Sequence, residues 1–264
     1  MTTPDCQPKR PSGVSCNAWL DPKIVNTDCL IEMPTMPGQS VDTIISDLPY
    51  GTTYAPWDSV LPLETLWTEW KRLLKPGGAI VLTASQPFTS ALVMSNPRWF
   101  RCEWIWDKVN AANFANANKQ PLKSHESVLV FGERQTTYNP QKVAGAKNHV
   151  QGKSAARNIS ELRLISERVA DDLSGMKYPK SIQTFPKHSR QCKLHPTQKP
   201  TELMRYLIRT YTNPGDVVLD PCCGSGTTCL AAMLEGRKSI GIEKEQKYAE
   251  IAINRIHEAR GLGV

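Results

Sequence analysis

The sequence has no apolar run long enough to cross a membrane: its longest hydrophobic stretches are of strand length, and each is interrupted. A membrane-spanning helix needs about 20 consecutive apolar residues, so we expect no membrane association. The first 23 residues are rich in proline, cysteine and polar residues and have no apolar core of the kind that a secretory signal contains. We therefore expect a flexible N-terminal tail over residues 1–23 and a cytoplasmic protein.

Two common ligand motifs are also missing. The eight cysteines form no CxxC pair and have no accompanying histidine spacing, so no metal site is expected and the thiols are interpreted as reduced. No GxxxxGK[ST] sequence is present, so a nucleoside ligand fits better than a nucleoside triphosphate. We find no internal repeat either.

The positive charge is unevenly distributed. The net charge is +7, from 32 basic and 25 acidic residues. Between Glu133 and Lys193 there are 12 basic and 5 acidic residues, so this segment alone accounts for the whole excess. Such a segment can be a solvated surface, or it can bind a phosphate backbone.

The remainder of the chain alternates strand and helix patterns, which predicts an α/β fold. Helices are predicted from Leu63 to a stop at residues 75–78, over Phe88–Met94, from Pro200 as the first helical residue, from Thr227, and near the C-terminus. The segment 132–194 is polar and basic, with one helical stretch around Ile159–Leu173. We therefore divide the chain into a tail (1–23), two halves of one domain (24–131 and 195–264) and an insertion (132–194).

Asp47-Leu48-Pro49-Tyr50 follows the apolar run Val41–Ser46, which predicts a buried strand. Ligands bind at the carboxyl ends of strands in open α/β sheets. Asp47 can simply cap a turn. It can also accept a hydrogen bond from an exocyclic amine of a nucleobase, with the Leu48 carbonyl as a second acceptor and Tyr50 as a stacking face.

A glycine-rich turn, Gly224-Ser225-Gly226, lies between a predicted strand and a predicted helix. Turns of this kind allow close backbone approach to a ligand, but they also occur as plain packing turns. Glu243 ends the next strand about 20 residues further on, where dinucleotide-binding folds place a ribose-binding acid. This spacing favours a nucleoside site.

Asp28 and the segment His195–Pro200 are less informative by themselves. Asp28 precedes a predicted helix, and an N-cap is its simpler interpretation. His195 is more simply explained as a hydrogen-bonded structural residue than as a catalyst.

The motifs together, in this order, resemble the β group of DNA amino-methyltransferases, in which the catalytic motif precedes the cofactor motifs. The resemblance covers most of residues 24–259. It rests on segments that are spread along the chain: Asp47–Thr53 with Trp57-Asp58, Leu74–Gly78, Trp106–Lys108, His125-Glu126, His195–Pro200, Asp220–Thr228 and Gly241–Glu243.

The resemblance implies S-adenosylmethionine as cofactor and a Rossmann-like, mostly parallel sheet with one reversed strand and a circularly permuted motif order. It implies that the 132–194 segment recognises the target in double-stranded DNA, in a prokaryotic or phage-encoded protein, and it leaves a homodimer open. The implied catalytic residues are Asp47, Leu48, Pro49 and Tyr50. The implied cofactor residues are Asp28 at the adenine, Glu243 at the ribose, Asp220, Cys222, Gly224, Ser225 and Gly226 at the methionine end, and Thr197, Lys199 and Pro200 at the methionine carboxylate.

Two positions depart from the family pattern. Leu48 replaces a common proline, which should be tolerated because this position contributes its carbonyl. Cys222-Cys223 replaces Phe-Ala or Phe-Cys, which could loosen packing against the cofactor. The expected activity is methylation of adenine N6 after base flipping. N4-cytosine methylation, an inactive DNA-binding module and methylation of RNA or a protein amide are the alternatives.

Overall fold

The computed structural model describes residues 22–53, 55, 58–145, 175–187 and 198–261. Residues 1–21 of the predicted tail and the predicted helix around 159–173 lie outside these residues. Lys23, which was predicted to belong to the tail, is the first residue of β1. The strands are β1 (Lys23–Asn26), β2 (Val41–Ser46), β3 (Leu74–Ala84), β4 (Phe100–Ala112), β5 (Lys123–Phe131), β6 (Val143–Ala144), β7 (Met176–Lys177), β8 (Ile182–Thr184), β9 (Val217–Asp220) and β10 (Lys238–Glu243). The α-helices are α1 (Cys29–Glu32), α2 (Leu63–Leu73), α3 (Phe88–Ser95), α4 (Thr201–Tyr211), α5 (Thr227–Leu234) and α6 (Gln246–Arg260).

One sheet organises most of the described chain. Its strand order is β1-β10-β9-β2-β3-β5-β4-β8. Neighbouring strands are parallel except at β5, which is antiparallel to both β3 and β4. The mostly parallel sheet with one reversed strand is therefore confirmed. The permuted motif order is also visible, because β2, which Asp47 follows, precedes β9, which the glycine-rich loop follows, and the two strands lie side by side in the sheet.

Helices cover both faces of this sheet. Ile44 is completely buried in a cluster that includes Trp70 of α2. Its neighbour Ile45 is buried in a second cluster, with Leu207 of α4. Successive side chains of a strand point to opposite faces, so an uninterrupted apolar strand such as β2 requires a helix layer on each side.

The structure corrects the predicted boundaries at two places. The helix from Leu63 ends at Leu73, and residues 75–78 lie inside β3 instead of forming a helix stop before it. Gly78 allows this close pairing, because a Cβ there would lie 2.5 Å from the Asp42 carbonyl oxygen. Pro200 is the N-cap of α4 and not its first helical residue.

A second compact unit spans Pro140–Lys180, of which residues 146–174 are not described. Its described part contains the antiparallel pair β6 and β7. Lys142 Nζ lies 4.5 Å from the centre of the Tyr178 ring. Residues 181–187 belong to the first unit, because β8 pairs with β4 in the large sheet. No helix in the described parts of the chain is long and apolar enough to cross a bilayer.

Candidate active site

Segments at the ends of five strands border one cavity of about 480 Å³. Asp28 follows β1, Asp47 follows β2, Ser85 follows β3, and Asp220 and Glu243 end β9 and β10. All five strands run parallel, so their carboxyl ends meet at one edge of the sheet. The residues singled out from the sequence that line this cavity are Asp28, Asp47, Leu48, Pro49, Tyr50, Lys199, Asp220, Cys222, Gly224, Ser225 and Glu243.

Three side chains donate hydrogen bonds to the Asp47 carboxylate. Tyr50 donates its hydroxyl to Oδ1 at 2.6 Å, and the Thr83 hydroxyl donates to the same oxygen. Lys199 Nζ donates to Oδ2 at 2.7 Å. A carboxylate has about four acceptor positions, so these bonds orient Asp47 and leave Oδ2 able to accept one more.

Tyr50 is packed on an aromatic neighbour. Its ring centre is 5.3 Å from that of Phe88, with 23° between the planes. Burial, together with the charges of Asp47 and Glu126, raises the pKa of the Tyr50 hydroxyl well above its ordinary value. Tyr50 therefore stays protonated at neutral pH and acts as the donor to Asp47.

Asp58 organises the backbone that carries Tyr50. Its Oδ1 accepts from the backbone N–H groups of Tyr50 at 2.8 Å and Gly51 at 2.9 Å. Its Oδ2 accepts from those of Thr52 at 3.0 Å and Thr53 at 2.7 Å. Burial alone would raise the pKa of Asp58, but hydrogen bonds from Thr53, Gly51 and Thr52 lower it overall. One ionised side chain thus holds four consecutive residues.

A chain of alternating charges continues from Asp47 across the cavity wall. Lys199 Nζ lies 3.3 Å from Glu126 Oε2, and Lys108 Nζ lies 2.6 Å from Glu126 Oε1. The side chains of Lys199 and Lys108 are only 8% and 3% exposed. Buried charges of this kind persist only when they are paired, and two lysines facing two carboxylates leave this chain neutral.

The partners of Lys199 set its protonation state. Burial alone would lower its pKa, but the Asp47 and Glu126 carboxylates raise it above the ordinary value. In the same way, burial alone would raise the pKa of Glu126, but Lys199 and Lys108 lower it overall. Lys199 is therefore a cation bound to the Asp47 carboxylate, whereas the resemblance implied a role at the cofactor carboxylate.

Asp220 also lines the cavity and is only 3% exposed. Ser46 donates its hydroxyl to Oδ1 at 2.7 Å, and the backbone N–H of Cys222 donates to the same atom at 3.1 Å. Burial raises the pKa of Asp220 to about 6, against the effect of hydrogen bonds from Thr228, Ser46 and Cys222. A cationic ligand bound nearby would stabilise the ionised form of this carboxylate.

Glu243 links the last parallel strand to the glycine-rich loop. Its Oε2 accepts from the Gly224 backbone N–H at 2.8 Å, and its Oε1 accepts from that of Glu245 at 2.8 Å. Each carboxylate oxygen keeps a second acceptor position, which suits two adjacent hydroxyl groups. Gly224 has φ of +51°, a conformation that favours glycine.

Three predicted cofactor residues do not contribute to the described cavity lining. Thr197 lies outside the described residues, and Pro200 and Gly226 are not part of the cavity wall. Gly226 has φ of +73°, and a Cβ there would lie 2.7 Å from the Cβ of Ala252. A glycine is required at this position because α6 packs closely against the loop. For Gly226 the glycine thus serves packing, which was the alternative interpretation of this turn.

Asp28 caps helix α1 and also borders the cavity. It is the N-cap of α1 and accepts from the Leu30 backbone N–H at 2.9 Å. Its side chain also borders the cavity, with Lys244 Nζ 3.2 Å from Oδ2. Cys29, the first residue of α1, borders the same cavity as Cys222.

Sequence reasoning gave no role to Asp58, Thr83, Lys108 or Glu126. The structure places Thr83 on Asp47, Asp58 on the backbone of residues 50–53, and Lys108 and Glu126 in the ion-pair chain that continues from Lys199. Asp58, Lys108 and Glu126 stand in short motifs that carry the resemblance, and that was the available signal. Thr83 had no sequence signal, because it is simply a polar residue within the apolar strand β3.

The sheet topology and the cavity at its carboxyl edge define a Rossmann-like methyltransferase. A family model described as DNA methylase matches residues 41–254, and the chain belongs to this family. The suspected family and fold are therefore confirmed.

Individual relatives are consistent with this membership. The chain is 29% identical over 269 residues to Type II methyltransferase M.HinfI of Haemophilus influenzae, covering 90% of this chain and 68% of that protein. It is 29% identical over 258 residues to DNA adenine methyltransferase YhdJ of Escherichia coli K12, covering 89% and 83%. The crystal structure of the M1.HpyAVI–SAM complex has a similar fold, with a TM-score of 0.63, 24% identity and coverage of 89% and 99%.

Proposed function

We propose that this DNA methylase transfers a methyl group from S-adenosylmethionine to the N6 amino group of a flipped-out adenine in double-stranded DNA. One observation supports this proposal above all others: Asp47, Asp220 and Glu243 all line a single cavity. An amine held at Asp47 and a nucleoside held at Glu243 would share this space. At about 480 Å³ the cavity is in the usual range for small-ligand sites, roughly 300–1,000 Å³.

The residues of the cavity suit this cofactor. The Glu243 carboxylate has free acceptor positions for the two ribose hydroxyls, and the buried Asp220 carboxylate favours a cationic group nearby. Bound S-adenosylmethionine supplies a methyl group on a positively charged sulfur. The glycine-rich turn presents backbone rather than side chains at Gly224, which allows a ligand to approach closely.

In the same cavity, Asp47 would orient the target amine. The lone pair of an exocyclic amine is delocalised into the ring, so the nitrogen must be held with its N–H groups engaged and its reacting face free. Asp47 Oδ2 and the Leu48 carbonyl would accept these two N–H groups. Tyr50, Thr83 and Lys199 fix the carboxylate before the base arrives. Pre-orientation of this kind lowers the entropic part of the barrier.

The basic segment would provide most of the contact with the DNA backbone. Its net excess of seven positive charges suits phosphates. Reversing the charge of Lys142, Lys147, Lys153 and Arg157 together should weaken DNA binding and lower its salt dependence, while cofactor affinity stays the same. The last three residues lie outside the described structure.

We place the enzyme in the cytoplasm, where its DNA substrate is accessible.

The test of the proposed reaction is direct identification of the product. DNA incubated with the protein and S-adenosylmethionine, then digested to nucleosides, should yield N6-methyladenine by mass spectrometry. A product dominated by N4-methylcytosine would overturn the base assignment and leave cofactor and mechanism intact. Methyl transfer to RNA or protein but not to DNA would overturn the substrate assignment. Sequencing of the modified DNA would also map the recognition site.

A further inference from the structure

The loop between β4 and β5 connects two residues that line the cavity. Ala112, the last residue of β4, is paired with Lys123, the first residue of β5. Both residues line the cavity, and so do Trp106 and Glu126 further along the same two strands. The loop 113–122 therefore begins and ends next to residues of the cavity wall.

An aromatic side chain projects from this loop. Phe114 is 69% exposed, only two residues after Ala112. Single exposed apolar residues are common on protein surfaces. Two exposed apolar residues of the described chain lie in the loop that joins this cavity-lining strand pair, Phe114 and Leu122. Phe114 is the aromatic one and the more exposed, since Leu122 is only 38% exposed. Met94 on α3 is 71% exposed and is not in such a position.

The backbone around Phe114 is ordered by its own hydrogen bonds. Residues Phe114–Asn116 form a 3-10 turn that starts after Asn113, which has φ of +69°. Asn116 Nδ2 donates to Asn113 Oδ1 at 2.7 Å, and the Ala117 backbone N–H donates to the Phe114 carbonyl at 3.1 Å. The exposed ring is thus carried on a defined turn, which limits the entropy lost when it inserts into a partner.

The charge of this segment suits a nucleic acid. Between Lys108 and Lys123 there are three lysines and no acidic residue. Lys119 lies within the loop, five residues after Phe114, and is exposed. A basic loop that presents one apolar ring is the combination with which proteins contact the phosphates of a duplex and insert between its bases.

We propose that Phe114 is a wedge that enters the DNA base stack beside the target and occupies the space left by the flipped-out base. This inference rests on the proposed function, because it requires a duplex substrate from which one base is extruded. Extrusion breaks a base pair and its stacking, and an inserted aromatic ring replaces part of that stacking. The loop position allows one side chain to act on the duplex while the cavity receives the base.

The experiment compares Phe114→Ala, Phe114→Trp and the control Met94→Ala on two duplexes that contain the mapped methylation site. In the first duplex the target adenine is paired; in the second it faces an abasic position and needs no pair broken. F114A should lose about tenfold or more in methylation of the paired duplex, since stacking of a base on an aromatic ring contributes on this scale. It should remain near wild type on the unpaired target. F114W and M94A should resemble wild type on both.

The possible failures are distinguishable. Equal loss by F114A on both duplexes, or no loss on either, would overturn the wedge while wild-type methylation upholds the proposed function. Absence of methyl transfer to any DNA by the wild-type protein would overturn the proposed function and the wedge together. The melting temperature of each variant shows that the fold is intact, and titration with S-adenosylmethionine shows that the cofactor site is unchanged.

Discussion

Lys199 and Asp47 are 152 positions apart in the chain, and their charged groups meet at 2.7 Å in the wall of the cavity. Lys199 stands immediately before the N-cap of α4, and Asp47 directly follows β2. Their contact joins the two halves of the domain at the point where the target amine is expected. The Asp47 carboxylate is therefore held by a residue from the half of the chain that carries the glycine-rich loop.

Removal of either partner should reduce methyl transfer far more than cofactor binding. Asp47→Ala should nearly abolish transfer, because it removes the acceptor that positions the amine. Lys199→Met should lower kcat and should also destabilise the fold by about 3–5 kcal/mol, the usual cost of breaking a buried ion pair from one side. Single-turnover kinetics and calorimetry with S-adenosylmethionine measure the two effects separately.

The double variant provides the control for this pair. Asp47→Asn with Lys199→Met should cost less stability than the sum of the two single changes, because each single change leaves a partner uncompensated. Strict additivity in urea unfolding would contradict the ion pair. Equal loss of cofactor binding and of transfer in Asp47→Ala would place Asp47 in the cofactor site instead.

Asp58 should act on the reaction through the loop that it holds. Asp58→Ala leaves four backbone N–H groups without their shared acceptor, so kcat should fall by about tenfold or more while cofactor affinity stays within a few-fold. Asp58→Asn should be nearly as harmful, since an amide offers one acceptor oxygen instead of two. Wild-type kcat in both variants would show that the hydrogen bonds to Asp58 do not position Tyr50.

Substitutions of the two glycines of the turn should have different effects. Gly224→Val should abolish cofactor binding first, because a β-branched residue blocks close approach and resists positive φ. Gly226→Ala should lower the free energy of unfolding, because its Cβ would meet the Cβ of Ala252. Adding Ala252→Gly to Gly226→Ala should recover part of that loss. Normal cofactor affinity in Gly224→Val would refute its assigned role.

Because of Asp220, the free energy of unfolding should fall as the pH rises. The pKa of Asp220 is raised from the ordinary value of 3.8 to about 6, so the folded state binds the proton more tightly than the unfolded state. The free energy of unfolding therefore falls as pH rises from about 4 to about 6 and then levels off, by an amount on the order of 2–3 kcal/mol from this group. Asp220→Asn should remove this dependence.

The same substitution should reduce affinity for S-adenosylmethionine, because the carboxylate is expected to stabilise a cationic ligand. Asp220→Asn should thus be more stable than the wild type at pH 7.5 and weaker in cofactor binding. Urea titrations at pH 4.5 and pH 7.5, each with and without S-adenosylmethionine, measure both effects. A wild-type pH dependence in the variant would assign the titration to another group.

Local patterns in the sequence were sufficient for much of the fold. The uninterrupted apolar run of β2 and the helical spacing in α2 and α4 predicted those elements, because burial on two faces or one face leaves a period in the chain. The strand-end positions of Asp47, Gly224 and Glu243 were readable for the same reason. The family followed from several such motifs occurring together in one order.

The tertiary structure alone decided how the charged residues are paired. Lys199 was assigned to the cofactor by resemblance, but its contacts with Asp47 and Glu126 depend on side chains that are distant in the chain. The packing role of Gly226 likewise depends on Ala252 in another helix. Periodicity records which face of an element is buried. It does not record which side chain from elsewhere in the chain lies opposite. At this site the opposing side chains keep Lys199 charged and orient the Asp47 carboxylate.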